Sequence, residues 1–361
     1  MKLSASQIIW IIATVEIVMI IHLIISPTVE IAKQDAWISI LVGSVGGAAL
    51  TFFIVHLSLL HPNQTLVEFS QTLLGKWLGR MIVLPYFVAW YTLSVTVLRQ
   101  FGEFYHLILL DRTPLWVILF IITGVAIYLS YNGITGIGRF SGIAGPVLYL
   151  VLIIIFILGL GNLKWIRLLP VYSDSGWVTI LKGALPHASF LAESFMLLVI
   201  VSFMHNPQKA PSRSILGISI VSFITVITTI MVITVFGPNF SVKLRTPSFM
   251  FMRTIDILDF IQNIDVFIII LFIFGAIAKL SLYLFITSYE LANWFKMKNW
   301  RSIIWFGAPA IFIMALLIPD KPSIDDLYLK FWEYVIFPIC GIGIPLLLWI
   351  ISVVKKKPVK L

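Results

Sequence analysis

Charged side chains inside apolar stretches are the residues of this sequence best placed to do chemistry. Arg99 and Glu103 stand four residues apart in one such stretch, so a helix places them on one face as an ion pair. A charge at the bilayer centre costs about 3 kcal/mol on insertion scales, which makes each one a functional candidate. The pair predicts a charge relay or a site for the charged end of a zwitterionic ligand. A purely structural lock between helices stays equally open, because the pair compensates itself.

A second candidate pair joins Lys279 to one of the acids in other apolar stretches. Lys279 lies about 15 Å of helix from the inner end of its stretch at Glu290, too far for its amine to reach the interface. A buried ammonium needs a carboxylate, and the apolar stretches offer Glu16, Glu103 and Glu193. We predict a coupling role for Lys279, with plain interhelical pairing as the alternative.

Glu193 is the leading candidate among these acids. It follows Pro186 in a run of small and polar residues, 185–194 (LPHASFLAES), where a membrane helix can break and expose backbone groups to a cavity. Glu193 is predicted to accept a proton, pair with Lys279 or orient a ligand amine, against a structural hydrogen bond. His22, in the first apolar stretch, is a proton carrier or ligand contact, or else bonds a neighbouring helix.

Ten apolar stretches must position these residues, and each is long enough to cross a hydrocarbon core of about 30 Å as a helix. Hydrophobic residues make up 60% of the 361 residues, charged residues 11%, and mean hydropathy is +1.04. The sequence therefore predicts an all-α polytopic membrane protein that forms one integral domain. The predicted spans, numbered 1 to 10, are 8–26, 36–60, 80–109, 114–132, 138–161, 183–204, 213–236, 264–289, 301–318 and 332–354.

Ten spans put both termini on one side of the membrane. The short connections on that side carry a modest excess of Lys and Arg, which predicts cytoplasmic termini, and the net charge of +9 then faces the lipid leaflet. No clustered basic surface suggests a nucleic-acid partner, and no motif supports an enzyme, a cofactor or a metal. Cys340 is the only cysteine, which excludes disulfides within the chain. A short amphipathic helix is predicted at 248–261, with a role in gating, in partner contact or merely in covering the bundle.

Five short segments, in this order along the chain, resemble the B subunits of spore germinant receptors. They are 35–41 (DAWISIL), 168–171 (LLPV), 181–184 (LKGA), 190–193 (FLAE) and 263–267 (NIDVF). That family is similar to the amino acid, polyamine and organocation transporters. The resemblance implies a LeuT-like bundle of two inverted five-helix repeats, at about 8–161 and 183–354, followed by a basic tail at 355–361.

The same resemblance implies where a ligand binds. A small germinant, typically an amino acid, would bind where spans 1 and 6 are interrupted, which assigns Ile21, His22, Ser189, Ala192 and Glu193 to the site. Spans 3 and 8 become repeat equivalents, so Arg99, Glu103 and Lys279 form a charge relay beside it. The implied partners are an A-type subunit and a C-type lipoprotein, together with the bilayer, in the inner membrane of the spore.

The first interruption departs from the family pattern. Where glycine-type residues are usual, this sequence has Ile20, Ile21, His22 and Leu23, and span 6 has Ala192. Because isoleucine resists irregular backbone, a shorter break or an altered pocket is expected. A germinant-sensing subunit is the leading hypothesis. A proton-coupled amino acid transporter of the same architecture and a scaffold that binds nothing are the alternatives.

Overall fold

The computed structural model describes residues 1–255, 264–319 and 322–356, and within them the chain is helical. Eight helices are long and apolar enough to cross a membrane, and two shorter apolar helices, Leu115–Tyr131 and Arg301–Leu317, complete ten spans in the described residues. The prediction of an all-α bundle of ten spans is confirmed. Spans 1 to 5 are Ala5–Leu23, Ala36–Leu60, Leu84–Ile108, Leu115–Tyr131 and Gly133–Leu158. Spans 6 to 10 begin with Gly176–Leu191, Ala210–Phe236, Ile264–Phe295, Arg301–Leu317 and Trp332–Gly343.

Spans 1, 6 and 8 form the centre of the bundle. In the most apolar stretch of each of these spans, 78%, 89% and 78% of the residues are buried. The corresponding share is 39% to 50% for spans 2, 3, 5 and 10. Span 1 packs against spans 5, 7 and 8, and span 8 also packs against spans 3 and 4. The three central helices carry Glu16, Glu193 and Lys279, so the fold places these ionisable residues away from lipid.

Both central interruptions are mild. Span 1 pauses at Ile24 and continues as the helix Ile25–Ala32, so Ile21 and His22 remain helical. In span 6, Pro186 lies inside a continuous α-helix, and the departure from α-helical geometry comes later, in the 3₁₀ segment Ala192–Met196. Proline disturbs only the turn before it, whereas a 3₁₀ stretch tightens the backbone itself. The irregular backbone of span 6 therefore contains Glu193.

Span 10 is irregular as well. Residues Trp332–Gly343 are π-helical around Pro338, and Ile344–Lys356 completes the span as an α-helix. Proline removes a backbone donor, which favours a wider turn and leaves carbonyl groups for other partners. The Cys340 carbonyl accepts a hydrogen bond of 2.8 Å from the Tyr86 hydroxyl of span 3.

A polar seam joins spans 2 and 6. Ser44 and Thr51, seven residues apart on one face of span 2, hydrogen-bond to His187 at 3.0 Å and Ser194 at 2.7 Å. Gly43 lies on the same side, and a Cβ there would come within 2.7 Å of a backbone oxygen of span 6. Small residues and interhelical hydrogen bonds are how membrane helices hold together when lipid is as apolar as their side chains.

Both ends of the described chain lie on one face of the bundle, here called the terminal face. The Lys2 amine donates to Asn63 and the Lys355 amine donates to the Leu73 carbonyl, so both ends contact the segment between spans 2 and 3. That segment contains two short helices, Leu66–Leu74 and Lys76–Met81. The opposite face, here called the distal face, carries the connection from span 7 to span 8.

The helix predicted at 248–261 begins close to the expected position, as Pro247–Arg253. Its Phe249 and Met252 side chains are buried, and the Phe249 ring contacts Phe104 of span 3 edge-on. This helix packs onto the bundle rather than along the membrane interface, because its apolar side chains fill space between spans. The remainder of the predicted helix lies largely outside the described residues, as do residues 357–361 of the predicted basic tail.

A buried ion pair at the centre of the bundle

Glu193 and Lys279 form an ion pair at the centre of the bundle. The Lys279 amine donates to Glu193 Oε2 at 2.7 Å, and both side chains are completely buried. Of the three acids that the sequence offered to Lys279, the structure selects Glu193. Burial removes the hydration of both charges, so neither can lose its partner without a large penalty. The Tyr283 hydroxyl, one turn after Lys279, is buried near this pair and donates to the Met196 sulfur at 3.6 Å.

Glu16 adds a second carboxylate to this centre. It is fully buried in span 1 and interacts electrostatically with both Glu193 and Lys279. Neither of its oxygens has a hydrogen-bond partner among the described residues. Two carboxylates and one ammonium therefore lie in this centre, and the ionised set carries a net charge of −1. A low-dielectric site with that balance favours the arrival of a proton or of a second cationic group.

Gly275 allows this cluster to form. It lies one turn before Lys279, and a Cβ at this position would collide with the Val18 side chain of span 1. Absence of that Cβ lets spans 1 and 8 approach closely. The close approach lets Glu16 of span 1 interact electrostatically with Lys279 of span 8.

Span 10 packs over the irregular part of span 6. The indole nitrogen of Trp332 donates to the carbonyl of Ser189 at 2.9 Å, and the Trp332 ring contacts Phe190 and Phe195. Ala192 faces the π-helical turn, where a Cβ on Gly341 would lie 3.2 Å from the Ala192 Cβ. Ser189 and Ala192, both predicted site residues, therefore line the contact between spans 6 and 10.

A second charge cluster lies nearer the distal face. Arg99 Nε contacts Glu103 Oε1 on the same face of span 3, as the sequence predicted, and Arg99 also donates to the Ala315 carbonyl of span 9. Arg245, from the connection after span 7, approaches Glu103 Oε2 at 3.3 Å. Arg99, Glu103 and Arg245 are here called the distal cluster. Its third member was missed in the sequence, because a loop arginine shows no pattern that points to span 3.

Ile21 and His22 belong to the distal side of span 1. The Ile21 carbonyl accepts a hydrogen bond of 3.0 Å from Ser248, and the His22 ring contacts Phe101 and Phe104. Each residue of helix rises 1.5 Å, so His22 lies about 9 Å beyond Glu16 along span 1. Ile21 and His22 thus make contacts on the distal side of the bundle, whereas Ser189 and Ala192 contact span 10 and Glu193 pairs with Lys279.

A cavity opens beside His22 on the distal face. Its volume is about 470 Å³, and its charged lining is mixed. Glu30 and Asp326 supply two carboxylates, while Lys243 and Arg245 supply two cations. A neighbouring cavity of about 510 Å³ shares Glu30 and Asp326. Walls with both signs of charge complement a zwitterion better than an ion of either sign.

The sequence identified most of the central charges but not all of them. Glu16 is one of the acids that the sequence offers to Lys279, but it is not among the predicted site residues, although a lone acid in an apolar span is a signal for one. Tyr283 and Trp332 were missed, since aromatic residues are frequent throughout this chain. Among the described residues, no group of three or more His, Cys, Asp or Glu side chains is placed to hold a metal ion.

Comparison with known proteins finds one family along most of this chain. Residues 2–324 match the family described as "Spore germination protein". The spore germination protein YndE of Bacillus subtilis (strain 168) is 26% identical over 335 residues, covering 91% of this chain and 90% of that protein. Spore germination protein KB of the same organism is 24% identical over 347 residues, covering 93% and 91%.

The fold is similar to that of solved transporters. The crystal structure of MhsT in complex with L-phenylalanine matches with a TM-score of 0.67 at 15% identity, covering 95% of this chain and 89% of that one. At this level of identity the likeness concerns the arrangement of helices alone. The expected LeuT-like architecture is confirmed.

Proposed function

This chain belongs to the spore germination protein family, and on that premise we propose that it is the membrane subunit of a germinant receptor and binds a small germinant of the amino acid class. It is a multi-pass membrane protein with a transporter-like fold. The observation that carries the proposal is the buried cluster of Glu16, Glu193 and Lys279 beside the 3₁₀ segment of span 6.

Charge balance explains why this cluster suits an amino acid. Lys279 pairs with Glu193, while the Glu16 oxygens have no hydrogen-bond partner among the described residues, so the ammonium group of a ligand would neutralise Glu16. The ligand carboxylate would then meet Lys279 or backbone groups of the Ala192–Met196 segment, which departs from α-helical geometry. Ser189 and Ala192 would contribute the wall toward span 10. Exchange of one ion-pair partner for another costs little, because no buried charge is left alone.

We propose that a ligand enters the protein through the distal cavities. His22 and Ile21 would contact the ligand on entry, where Glu30, Asp326 and Arg245 offer charges of both signs. The distal cluster then acts as a relay, because a ligand carboxylate that attracts Arg245 competes with Glu103. Binding shifts the equilibrium between two arrangements of the bundle only by as much as the ligand prefers one of them.

We place the terminal face in the cytoplasm and the two inverted repeats at spans 1 to 5 and 6 to 10. An A-type subunit and a C-type lipoprotein would receive the change of state in the inner membrane of the spore. The even number of spans puts both ends on one face, and the Lys and Arg residues of its short connections favour the cytoplasm.

Ligand-dependent stability of the purified protein tests the proposal. The twenty amino acids and common nucleosides are screened by thermal unfolding, because a ligand that binds only the folded state stabilises it by about 2.7 kcal/mol at 100 times Kd. Glu16→Gln should abolish the stabilisation by ligand. The unliganded variant should be as stable as the natural protein or more stable, since the change removes a buried carboxylate that has no hydrogen-bond partner among the described residues. Asp111→Asn, an exposed change in the loop after span 3, is the matched control and should keep the full response.

Loss of the response in Asp111→Asn as well, or retention of it in Glu16→Gln, contradicts a ligand site at the central cluster. If no compound stabilises the protein, the role is that of a scaffold or the site needs its partner subunits. Repeating the screen on the co-purified receptor complex separates these two outcomes.

A proton-coupled amino acid transporter is the second candidate, and Glu16 favours it specifically. A buried carboxylate without a hydrogen-bond partner is suited to bind and release a proton. Uptake into proteoliposomes under a pH gradient distinguishes the candidates. Turnover that disappears in Glu16→Gln supports transport, whereas saturable binding without turnover supports sensing.

A further inference from the structure

A cavity of about 610 Å³ lies on the terminal face, away from the central cluster. It is bounded by the helix Leu66–Leu74, by Lys76 and by residues 292–297 at the end of span 8. The wall is held together by contacts between these elements. Glu290 of span 8 accepts a hydrogen bond of 2.8 Å from the Val67 backbone, and Asn293 donates to the Thr65 hydroxyl at 3.3 Å. The cavity is therefore built by tertiary contacts and is not merely a gap between loops.

The lining of this cavity is rich in hydrogen-bond donors. Lys76 and Lys296 supply two ammonium groups, and Gln71 and Asn293 supply amides. One acid, Glu68, also lines it, but its carboxylate accepts a hydrogen bond of 2.8 Å from the Thr65 backbone in a capping box at the start of the helix. The two lysines exceed this acid in charge, so the cavity favours an anion.

An exposed apolar stripe begins beside Lys76. Trp77, Met81, Leu84 and Val88 follow one another at spacings of four, three and four residues, which is one face of a helix. Their exposed fractions are 80%, 60%, 38% and 50%. The stripe runs from the short helix Lys76–Met81 onto span 3, so its far end lies within a membrane-crossing element. Tryptophan at the end of a span is typical of the membrane–water interface.

We propose that the terminal-face cavity binds the head group of an anionic phospholipid, with an acyl chain along the stripe from Trp77 to Val88. The cavity supplies cationic donors for a phosphodiester, and the stripe supplies an apolar surface that begins at the next residue. Basic pockets beside membrane helices bind anionic head groups in this way. An acidic protein segment would also satisfy the lysines, but a phospholipid matches both the basic cavity and the apolar stripe that begins at the next residue.

The bound lipid would contact span 8 directly. Lys296 follows the last residue of span 8, and the same helix carries Lys279 about 25 Å away along its axis. A lipid held between Lys76 and Lys296 would tie the end of span 8 to the short helix before span 3. The proposal does not rest on the function of the central cluster, and the two can fail independently.

Native mass spectrometry of the purified full-length protein tests the proposal. The protein is titrated with phosphatidylglycerol and, separately, with phosphatidylcholine, which also contains a phosphodiester but has no net charge. We expect preferential retention of phosphatidylglycerol, with binding about 30-fold weaker in the double variant Lys76→Gln and Lys296→Gln, since two basic contacts are lost. The matched control is Lys33→Gln with Lys164→Gln, two exposed lysines of the distal face, which should retain the lipid.

A second variant tests the apolar half of the site. Trp77→Ser with Met81→Ser leaves both lysines in place and should weaken retention of the same lipid while the protein stays folded, because both side chains are exposed. Equal retention of the two lipids, or equal loss in the distal control, overturns the proposal. If the lysine variant keeps its lipids but no longer co-purifies with a defined partner subunit, the cavity binds protein and the lipid assignment is wrong.

Discussion

The central and distal clusters both hold charged side chains within the helical bundle, but they differ in how far those side chains are exposed. Glu193 and Lys279 are both completely buried, on two spans of the bundle centre. In the distal cluster, the Arg99 and Glu103 side chains are 11% and 9% exposed, but Arg245 is 45% exposed and comes from a loop. A sealed pair is costly to break unless another charge takes the place of the lost partner, whereas a half-exposed partner exchanges with water at little cost. We therefore expect the centre to determine stability and ligand charge, and the distal cluster to respond to what enters.

The largest effect is expected for Lys279→Met. This change leaves Glu16 and Glu193 buried without a cation, and breaking a buried pair costs about 3–5 kcal/mol. Chemical unfolding in detergent measures the loss. A loss below about 1 kcal/mol would mean that the centre is solvated and resembles the distal cluster.

Glu193→Gln removes the other member of the ion pair and should lower the free energy of unfolding less than Lys279→Met does. Lys279 would still interact electrostatically with Glu16, so the buried ammonium keeps one carboxylate in its surroundings. Combining the two changes should restore much of the stability lost in Lys279→Met, because only one buried carboxylate, Glu16, is then left without a cation instead of two. A double variant as unstable as the sum of the single ones would contradict direct pairing.

Glu103→Gln is expected to have the next largest effect. It withdraws the carboxylate from both Arg99 and Arg245, and Arg99 is nearly buried. Losing a hydrogen bond to a charged group costs about 1.5–3 kcal/mol. In the same unfolding assay, Arg245→Gln should destabilise the Glu103→Gln variant less than it destabilises the natural protein. If Arg245→Gln lowers the stability of the Glu103→Gln variant as much as it lowers that of the natural protein, the contact between Glu103 and Arg245 contributes no coupling energy.

Gly275→Ala tests whether close packing maintains the centre. The added methyl would collide with Val18, and overpacking costs about 1–3 kcal/mol. Ligand stabilisation should fall as well, because spans 1 and 8 would separate around Lys279. The control is Gly124→Ala, where the added methyl meets nothing within 4 Å. Normal ligand response in Gly275→Ala would show that the spacing of these spans is not critical.

Arg245→Gln should have the smallest effect on stability. A half-exposed ion pair contributes about 0.2–1 kcal/mol, and salt screens it. The difference in unfolding free energy between Arg245→Gln and the natural protein should shrink as salt rises. A salt-independent loss above about 2 kcal/mol would place Arg245 in a sealed environment and remove the contrast between the clusters.

The class of fold and the chemistry available to it follow from the amino-acid sequence alone. Apolar stretches of membrane-spanning length allow only helices, since a bilayer offers backbone groups no other partner. The Arg99–Glu103 pair was predictable from spacing alone, because residues four apart share a helical face whatever surrounds them. The need of Lys279 for a carboxylate partner was also predictable locally, because its amine lies too far from the end of its apolar stretch to reach the interface.

Packing between spans determines which residues from distant parts of the chain come into contact. The sequence offered three acids to Lys279, and packing of spans 1, 6 and 8 selected Glu193 and added Glu16. The position of the break in span 6 also escaped prediction, since Pro186 is accommodated and the backbone tightens at Ala192–Met196 against span 10. Arg245 reached Glu103 from a connection with no regular pattern. Side chains 86 or 142 residues apart are joined only by the relative placement of helices, and no local rule contains that information.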